Sequence, residues 1–179
     1  RRGVRVVPLQ TGGRQERGLR CGTENVPGII GLGAAAELLP THLGHMDTRI
    51  RRLRDRFEAR LRERLGDLRV NGAARDGGAE RVPNTSNIGF AHLEAQAILL
   101  LLSEVGVCSS TGAACSTGSP DPSHVLMAMG QSREIAAGGL RFSLSVYTTE
   151  AEIDYALEAI PKAVEKMREL SPYYAAVDR

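Results

Sequence analysis

The sequence lacks tryptophan altogether, and only 4% of its 179 residues are aromatic. Proteins that bind single-stranded nucleic acid stack bases on aromatic rings, so this composition gives such a role no support. The net charge is only +2, and the arginines between Arg51 and Arg64 alternate with aspartate and glutamate. That pattern is typical of a solvated helix face with paired opposite charges. We therefore expect no nucleic-acid partner.

Cysteine is also scarce. Three cysteines in 179 residues are an odd number and argue against a disulfide framework. The spacing between Cys108 and Cys115 does not match a zinc knuckle, and no histidine pattern completes one, so we expect no metal site. No stretch resembles a signal peptide or an apolar span of about twenty residues. The sequence thus predicts no membrane partner and a reducing, cytoplasmic location.

An initiating methionine is missing as well. The chain begins Arg1-Arg2-Gly3-Val4-Arg5, which is typical of the end of a strand and a turn. We expect that the chain is a fragment without its N-terminal part. Its length suffices for one domain with a sizeable core, or for one domain and part of another.

The chain does contain a series of short apolar-periodic elements. Helices are predicted at 29–39 (ended by Pro40), 43–65, 94–104, 123–129, 132–137 and 153–170, the last kinked or broken at Pro161. Strands are predicted at 4–7, 68–70, 85–90, 105–109 and 140–145. This order predicts a small α+β layer domain from 42 to 179, with residues 1–41 as the end of a different domain.

An uncharged loop of small residues runs from Cys108 to Ser119, between a predicted strand and a predicted helix capped by Ser123. Loops on a rigid scaffold often carry functional residues. An exposed cysteine with a lowered pKa is a nucleophile, and Cys115 is the candidate, although its residue environment equally allows a bystander. Cys108 ends a predicted buried strand and is expected to be a small core residue.

Two further places could bind an anion. Arg141 lies inside a predicted strand, where its guanidinium could bind a carboxylate in bidentate fashion or simply face solvent. Residues 11–25 form a Gly- and Arg-rich loop, whose backbone N–H groups and the side chains of Arg17, Arg20 and Thr23 could bind an anion. An ordinary surface turn explains the same composition.

Several segments, in this order, resemble motifs of the cysteine desulfurases, pyridoxal-phosphate enzymes of the class V aminotransferase type. They are Gly12 to Thr23, Pro83 to Asn87, Gly112 to Cys115 with Pro122 to Leu126, and Leu140 to Leu144. The resemblance covers almost the whole chain and extends to the subgroup that serves nitrogenase and iron–sulfur assembly. It implies fold type I, with the end of the large cofactor domain and its dimer-facing loop at 1–41. The small C-terminal domain with the cysteine loop would be 42–179.

The resemblance also implies residue roles. Cys115 would attack the substrate sulfur and carry it as a persulfide, and Arg141 would bind the carboxylate of L-cysteine. Thr23 would reach the phosphate of pyridoxal 5'-phosphate in the other subunit of a homodimer. The reaction would convert L-cysteine to L-alanine, and the sulfur would pass to an acceptor such as an iron–sulfur scaffold protein. Arg14 and Cys21 depart from the glycine and the serine or alanine that the family usually has there.

One part of the family's chemistry is missing from the chain. The lysine that forms the Schiff base with the cofactor lies upstream of the matched region, and Lys162 and Lys166 lie on the charged face of the last predicted helix. We therefore expect the chain alone to be inactive. Two alternatives stay open: a selenocysteine lyase, which also has a Gly-Ala-Ala-Cys motif, and a non-catalytic dimerising or sulfur-relay module.

Overall fold

The computed structural model of the chain describes residues 3–72, 81–111 and 121–171. It divides into two compact units, Arg1–His42 and Leu43–Arg179. The sequence analysis expected domains at 1–41 and 42–179, and the roles assigned to those domains stay predictions.

The first unit consists of a loop followed by a long helix. A turn of 3-10 helix, Gln15–Gly18, precedes α1, Val26–His45. The Asn25 side chain caps α1, because its Oδ1 accepts a hydrogen bond from the Gly28 N–H at 3.2 Å. The strand predicted at 4–7 is wrong, since those residues pair with no strand in the described part of the chain.

The predicted end of this helix at Pro40 is also wrong. Proline removes one backbone donor, and the helix continues beyond it to His45. The continuous helical segment Val26–Leu65 therefore contains a window of 18 residues with mean hydropathy 1.2. By length and composition alone that window could cross a membrane, contrary to our expectation. Core helices of soluble proteins pass the same test, so this is weak evidence.

The second unit is an antiparallel sheet with helices on both faces. A π-helical turn, Met46–Ile50, leads into α2, Arg51–Leu65, and the sheet has the strand order β1-β2-β4-β3. The strands are β1 Leu68–Asn71, β2 Thr85–Phe90, β3 Ser110–Thr111 and β4 Gly139–Ser143. The remaining helices are α3 Ala95–Glu104, α4 His124–Ala128, α5 Arg133–Ala137 and α6 Glu150–Leu170. Helix α6 runs through Pro161, so the proline does not break it.

The core lies between one face of this sheet and the helices α2, α3 and α6. Ile88 and Leu140 of the central strands are fully buried there, as is Ile160 of α6. The rings of Phe57 and Phe142 meet edge to face, with centroids 5.2 Å apart. Alternate residues of each strand face this core, and the residues between them face the other side of the sheet.

Helix α6 is fixed at its start by a capping box. The Glu152 N–H donates to Thr149 Oγ1 at 3.2 Å, and the Thr149 N–H donates to Glu152 Oε2 at 2.7 Å. The hydrogen bonds from Thr149 lower the pKa of Glu152. Ion pairs then join α2 to α6 along the solvent side, Arg52 to Glu150 at 3.3 Å and Arg64 to Glu158 at 2.7 Å. The predicted solvated, paired helix face is confirmed for these residues, whereas Arg54 and Glu58 of the same helix are buried, with 4% and 5% exposure.

The strand predicted at 105–109 is wrong. Helix α3 ends in a Schellman motif, in which the Val107 N–H donates to the Leu102 carbonyl at 2.9 Å and the Gly106 N–H to that of Ser103 at 3.1 Å. Gly106 has a φ of +77°, which favours glycine. These residues turn the chain, and the strand begins only at Ser110. As a consequence Cys108 is exposed and not the core residue that we expected.

Candidate functional site

A row of polar residues crosses the sheet on the face opposite α2, α3 and α6. The register pairs Asn71 with Asn87, Asn87 with Arg141, and Arg141 with Ser110. Residues directly opposite one another in an antiparallel sheet point to the same face, with Cβ atoms about 4.5–5.5 Å apart. We call these four residues, one from each strand, the polar row.

Arg141 is the charged member of the polar row. It alternates with the buried residues Leu140 and Phe142, and its own side chain is exposed. Among the described residues no hydrogen bond or ion pair occupies its guanidinium, and its cross-strand neighbours Asn87 and Ser110 are neutral. An unpaired guanidinium suits a carboxylate, which it can bind with two parallel N–H donors. The strand predicted around Arg141 is confirmed, and its binding role stays a prediction.

The two asparagines of the polar row are hydrogen-bonded to each other. Asn71 Nδ2 donates to Asn87 Oδ1 at 2.7 Å. Asn71 is only 4% exposed, and its Oδ1 has no partner among the described residues. Asn87 belongs to the family-like segment Pro83 to Asn87, which implied no role for it. The alternation along β2 predicts that Asn87 and Ile88 face opposite sides of the sheet. The sequence does not reveal the register that pairs Asn87 with Arg141.

Helices α4 and α5 form a wall on the same face, next to the polar row. Both are capped by serine: Ser123 Oγ accepts from the Leu126 N–H at 3.5 Å, and Ser132 Oγ from the Ile135 N–H at 3.4 Å. The helices approach the sheet closely because glycines face them. A Cβ on Gly89 would lie 2.8 Å from the Ile135 carbonyl oxygen, and one on Gly139 would lie 2.8 Å from Leu126 Cδ1.

Cys115 lies in the segment 112–120, outside the described residues. Both attachment points of that segment are described. Thr111 follows Ser110 of the polar row on β3, and Asp121 is ion-paired with Arg133 of α5 at 3.3 Å. Cys115 is four residues from Thr111, so chain length limits the distance between their Cα atoms to about 14 Å. The role of Cys115 therefore stays a prediction. The chain connects Cys115 to the end of β3 through Thr111.

Thr23 lies in the first unit and is exposed. The preceding loop is tightly turned, because Glu16 and Arg17 have left-handed φ values of 48° and 60°. Such conformations cost of the order of 1–3 kcal/mol for residues other than glycine. Gly12 is held against Cys21, where a Cβ would lie 2.9 Å from the Cys21 Cβ. The predicted anion binding by Thr23 remains a prediction.

The residues of the polar-row face do not fit the covalent anchor of pyridoxal phosphate. The sequence has two lysines, Lys162 and Lys166. Both line a shallow opening with Leu101 and Glu104, between α3 and α6 on the other side of the sheet. The polar row thus contains an arginine but no lysine beside it. Within the described ranges, no group of three or more His, Cys, Asp or Glu side chains could hold a metal ion.

Comparison with known proteins identifies the family. Residues 4–156 match the model of the aminotransferase class-V family, and the chain belongs to that family. Within it the chain resembles the cysteine desulfurases: it is 53% identical over 176 residues to "Cysteine desulfurase" of Trichormus azollae, covering 97% of this chain and 42% of the relative. It is 47% identical to "Cysteine desulfurase NifS" of Azotobacter vinelandii, covering 98% of this chain and 42% of the relative.

Solved structures agree with the predicted fold class. A "NIFS-LIKE PROTEIN" superimposes with a TM-score of 0.76 at 35% identity, covering 92% of this chain and 40% of that one. The NifS-like protein of Rickettsia africae ESF-5 has a TM-score of 0.73 at 29% identity, covering 90% and 41%. The predicted α/β class, with a small α+β domain of the fold type I transferases, is confirmed. The chain spans about 42% of the length of the curated relatives that it matches.

A substitution at Gly138, the residue that follows α5, tests how closely this helix packs beside the polar row. A Cβ at this position would collide with the backbone carbonyl of Phe90 and lie 3.0 Å from that of Leu93. We predict that Gly138→Ala lowers the free energy of unfolding by about 1–3 kcal/mol, the usual cost of overpacking. Urea unfolding followed by circular dichroism measures this difference.

The matched control is Gly44→Ala. Gly44 lies in α1 with nothing within 4 Å of an added Cβ, so alanine there should be neutral or stabilise by about 0.5–1 kcal/mol. Equal unfolding midpoints for the two variants would contradict the close approach of the Gly138 segment to Phe90.

Proposed function

We propose that this chain supplies the substrate-binding arm and the sulfur-accepting cysteine of a cysteine desulfurase. The whole enzyme would convert L-cysteine to L-alanine and hold the sulfur as a persulfide. The observation that carries the proposal is Arg141, at the centre of a polar row on the strand that pairs with β3, whose guanidinium has no partner in the described part of the chain. The segment with Cys115 begins directly after β3. Relatives at 47–53% identity named cysteine desulfurase support the assignment.

Arg141 would recognise the α-carboxylate of the substrate. Its neighbours in the polar row carry no charge, so nothing there competes with a carboxylate for the guanidinium. Because Phe142 and Leu140 hold the strand in the core, the Arg141 backbone is fixed while its side chain stays accessible. A fixed cation of this kind orients a small zwitterionic amino acid by one end.

Cys115 would accept the sulfur atom. As a thiolate it would be the nucleophile toward the substrate sulfur, and it would then carry that sulfur to an acceptor. Pyridoxal 5'-phosphate, when bound, supplies the electron sink for this class of reaction. The chain's own lysines lie on the opposite side of the sheet. This chain would therefore contribute substrate binding and the sulfur-accepting cysteine, and not the lysine that anchors the cofactor. For the same reason we expect the chain alone to be inactive.

The partners are part of the same proposal. The substrate would be L-cysteine, and the acceptor an iron–sulfur scaffold or a related sulfur carrier in the cytoplasm. In a homodimer, Thr23 would reach the cofactor phosphate of the other subunit, which its exposure in the first unit permits. The curated relatives named as cysteine desulfurases favour this activity over a selenocysteine lyase or a sulfur-relay module.

The role of Cys115 can be tested in a chimera in which this chain replaces the matching 176-residue segment of the Trichormus azollae relative. We predict that Cys115→Ala abolishes alanine release from L-cysteine, because the variant lacks the thiolate that would accept the sulfur. After treatment with L-cysteine, mass spectrometry of the parental chimera should find the added sulfur on Cys115.

The other two cysteines provide the controls. Cys21→Ala and Cys108→Ala should keep the parental rate, although Cys108 is exposed. Added sulfur on Cys108, or normal desulfuration by the Cys115→Ala chimera, would contradict the assignment. A parental chimera that acts on selenocysteine and ignores cysteine would instead support the lyase.

Arg141→Ala in the same chimera tests carboxylate recognition. Loss of a hydrogen-bonded charge costs about 1.5–3 kcal/mol, so KM for L-cysteine should rise roughly ten- to a hundredfold. Arg69→Ala is the matched control, since Arg69 is an exposed arginine on the same face of the edge strand β1. An unchanged KM for Arg141→Ala, or an equal rise for Arg69→Ala, would rule out the specific role of Arg141.

A further inference from the structure

We propose that Asn87 is a second substrate-binding residue, which donates a hydrogen bond from Nδ2 to the carboxylate held by Arg141, and that Asn71 positions it. The proposal rests on the proposed function, because it assumes that a carboxylate binds at Arg141. It adds a recognition residue on a neighbouring strand and a device that orients it.

The first argument is the register of the two central strands. Asn87 of β2 lies directly opposite Arg141 of β4, so the two side chains leave the same face from adjacent Cβ atoms. Asn87 stands between the buried residues Ser86 and Ile88, which point to the core side. An anion that contacts the Arg141 guanidinium close to the sheet can therefore also reach the Asn87 amide.

The second argument is the orientation of that amide. Asn87 Oδ1 accepts the hydrogen bond from Asn71 Nδ2 at 2.7 Å, so the acceptor end of Asn87 is occupied. Its Nδ2 has no partner among the described residues and is the free end. Asn71 is fixed in turn, because it is only 4% exposed although it lies at the β1 end of the row. The pair thus presents a donor next to the guanidinium.

The third argument is that the other neighbour of Arg141 is already occupied. Ser110 Oγ donates its hydrogen to the Thr111 carbonyl oxygen at 3.1 Å, so the β3 side of the polar row supplies no free hydroxyl donor. The donors available to a carboxylate in the described row are thus the Arg141 guanidinium and Asn87 Nδ2. One charged and one neutral donor on adjacent strands can bind both oxygens of one carboxylate.

A purely structural role for Asn87 makes a different prediction. If the asparagine pair served only to hold β1 against β2, any acceptor at position 87 would preserve the bond from Asn71. Aspartate is such an acceptor and has nearly the same shape, whereas alanine has none. A donor role predicts that both variants weaken carboxylate binding: alanine because it removes the donor, and aspartate because it also adds a negative charge that would pair with Arg141 and repel the substrate carboxylate.

The experiment measures competitive inhibition of the chimera by two probes. L-Alanine carries a carboxylate, and cysteamine is an amine and thiol without one. For Asn87→Ala we expect the inhibition constant of L-alanine, and KM for L-cysteine, to rise roughly tenfold or more. Asn87→Asp should raise the L-alanine inhibition constant and KM for L-cysteine further. The inhibition constant of cysteamine should change by less than about twofold in either variant, because cysteamine has no carboxylate.

Controls separate this inference from the proposed function. Thr85→Ala alters the same strand and face two residues away and should leave both inhibition constants unchanged. Arg141→Ala should raise the constant of L-alanine; if it does not, the proposed function fails. If Arg141→Ala has its effect but Asn87→Asp binds L-alanine as the parent does, only the role of Asn87 is overturned.

Asn71→Ala tests the positioning role. Without the bond to Oδ1 the Asn87 amide can rotate, so we expect a smaller rise in the L-alanine constant than for Asn87→Ala, with cysteamine again unaffected. Should Asn71→Ala unfold the chimera, Asn71→Leu replaces it, since leucine fills a similar volume and has no hydrogen-bond donor for Asn87 Oδ1. An L-alanine constant equal to that of the parent in a folded Asn71 variant would overturn the positioning role.

Discussion

The antiparallel register between β2 and β4 is the constraint on which the site depends. It buries Ile88 opposite Leu140 on one face and sets Asn87 opposite Arg141 on the other. Because side chains alternate along a strand, a slip of one residue would put Arg141 into the core and Leu140 into solvent. The burial of the hydrophobic pairs therefore fixes the position of the polar ones, and the core specifies which side chains share the polar-row face.

This arrangement explains how a small domain can present a charge without losing stability. Arg141 needs no compensating carboxylate, because its side chain stays in solvent while its neighbours Leu140 and Phe142 hold the strand. The buried Asn71 is different, since its donor is satisfied only by Asn87. A polar pair that is buried and bonded in one geometry specifies orientation more than it adds stability.

Much of the fold follows from local sequence signals. The bounds of β2 at Thr85–Phe90 and the cap at Ser123 were predicted, because alternation and capping residues are local patterns, whereas α6 begins at Glu150 and not at the predicted 153. The prediction failed at Pro40 and at 105–109. In both places a local rule was overridden, by a helix that tolerates one missing donor and by a Schellman motif that required a turn.

Only part of the candidate site could be predicted from the sequence. Arg141 and Cys115 stand out because a charge inside a strand and a cysteine in a polar loop are unusual, and the family resemblance gave them roles. Asn87 did not stand out, because its importance lies in what faces it across the sheet. Sequence pattern predicts which face a residue occupies, but the strand order β1-β2-β4-β3 depends on packing between distant segments.

The most direct test of the central claim is a crystal structure of the chimera with a bound amino acid that has no sulfur to transfer, such as L-alanine. The account predicts that the carboxylate lies within about 2.7–3.2 Å of both the Arg141 guanidinium and Asn87 Nδ2, on the sheet face away from α2, α3 and α6. A carboxylate bound by other residues, with Arg141 left in solvent, would contradict it.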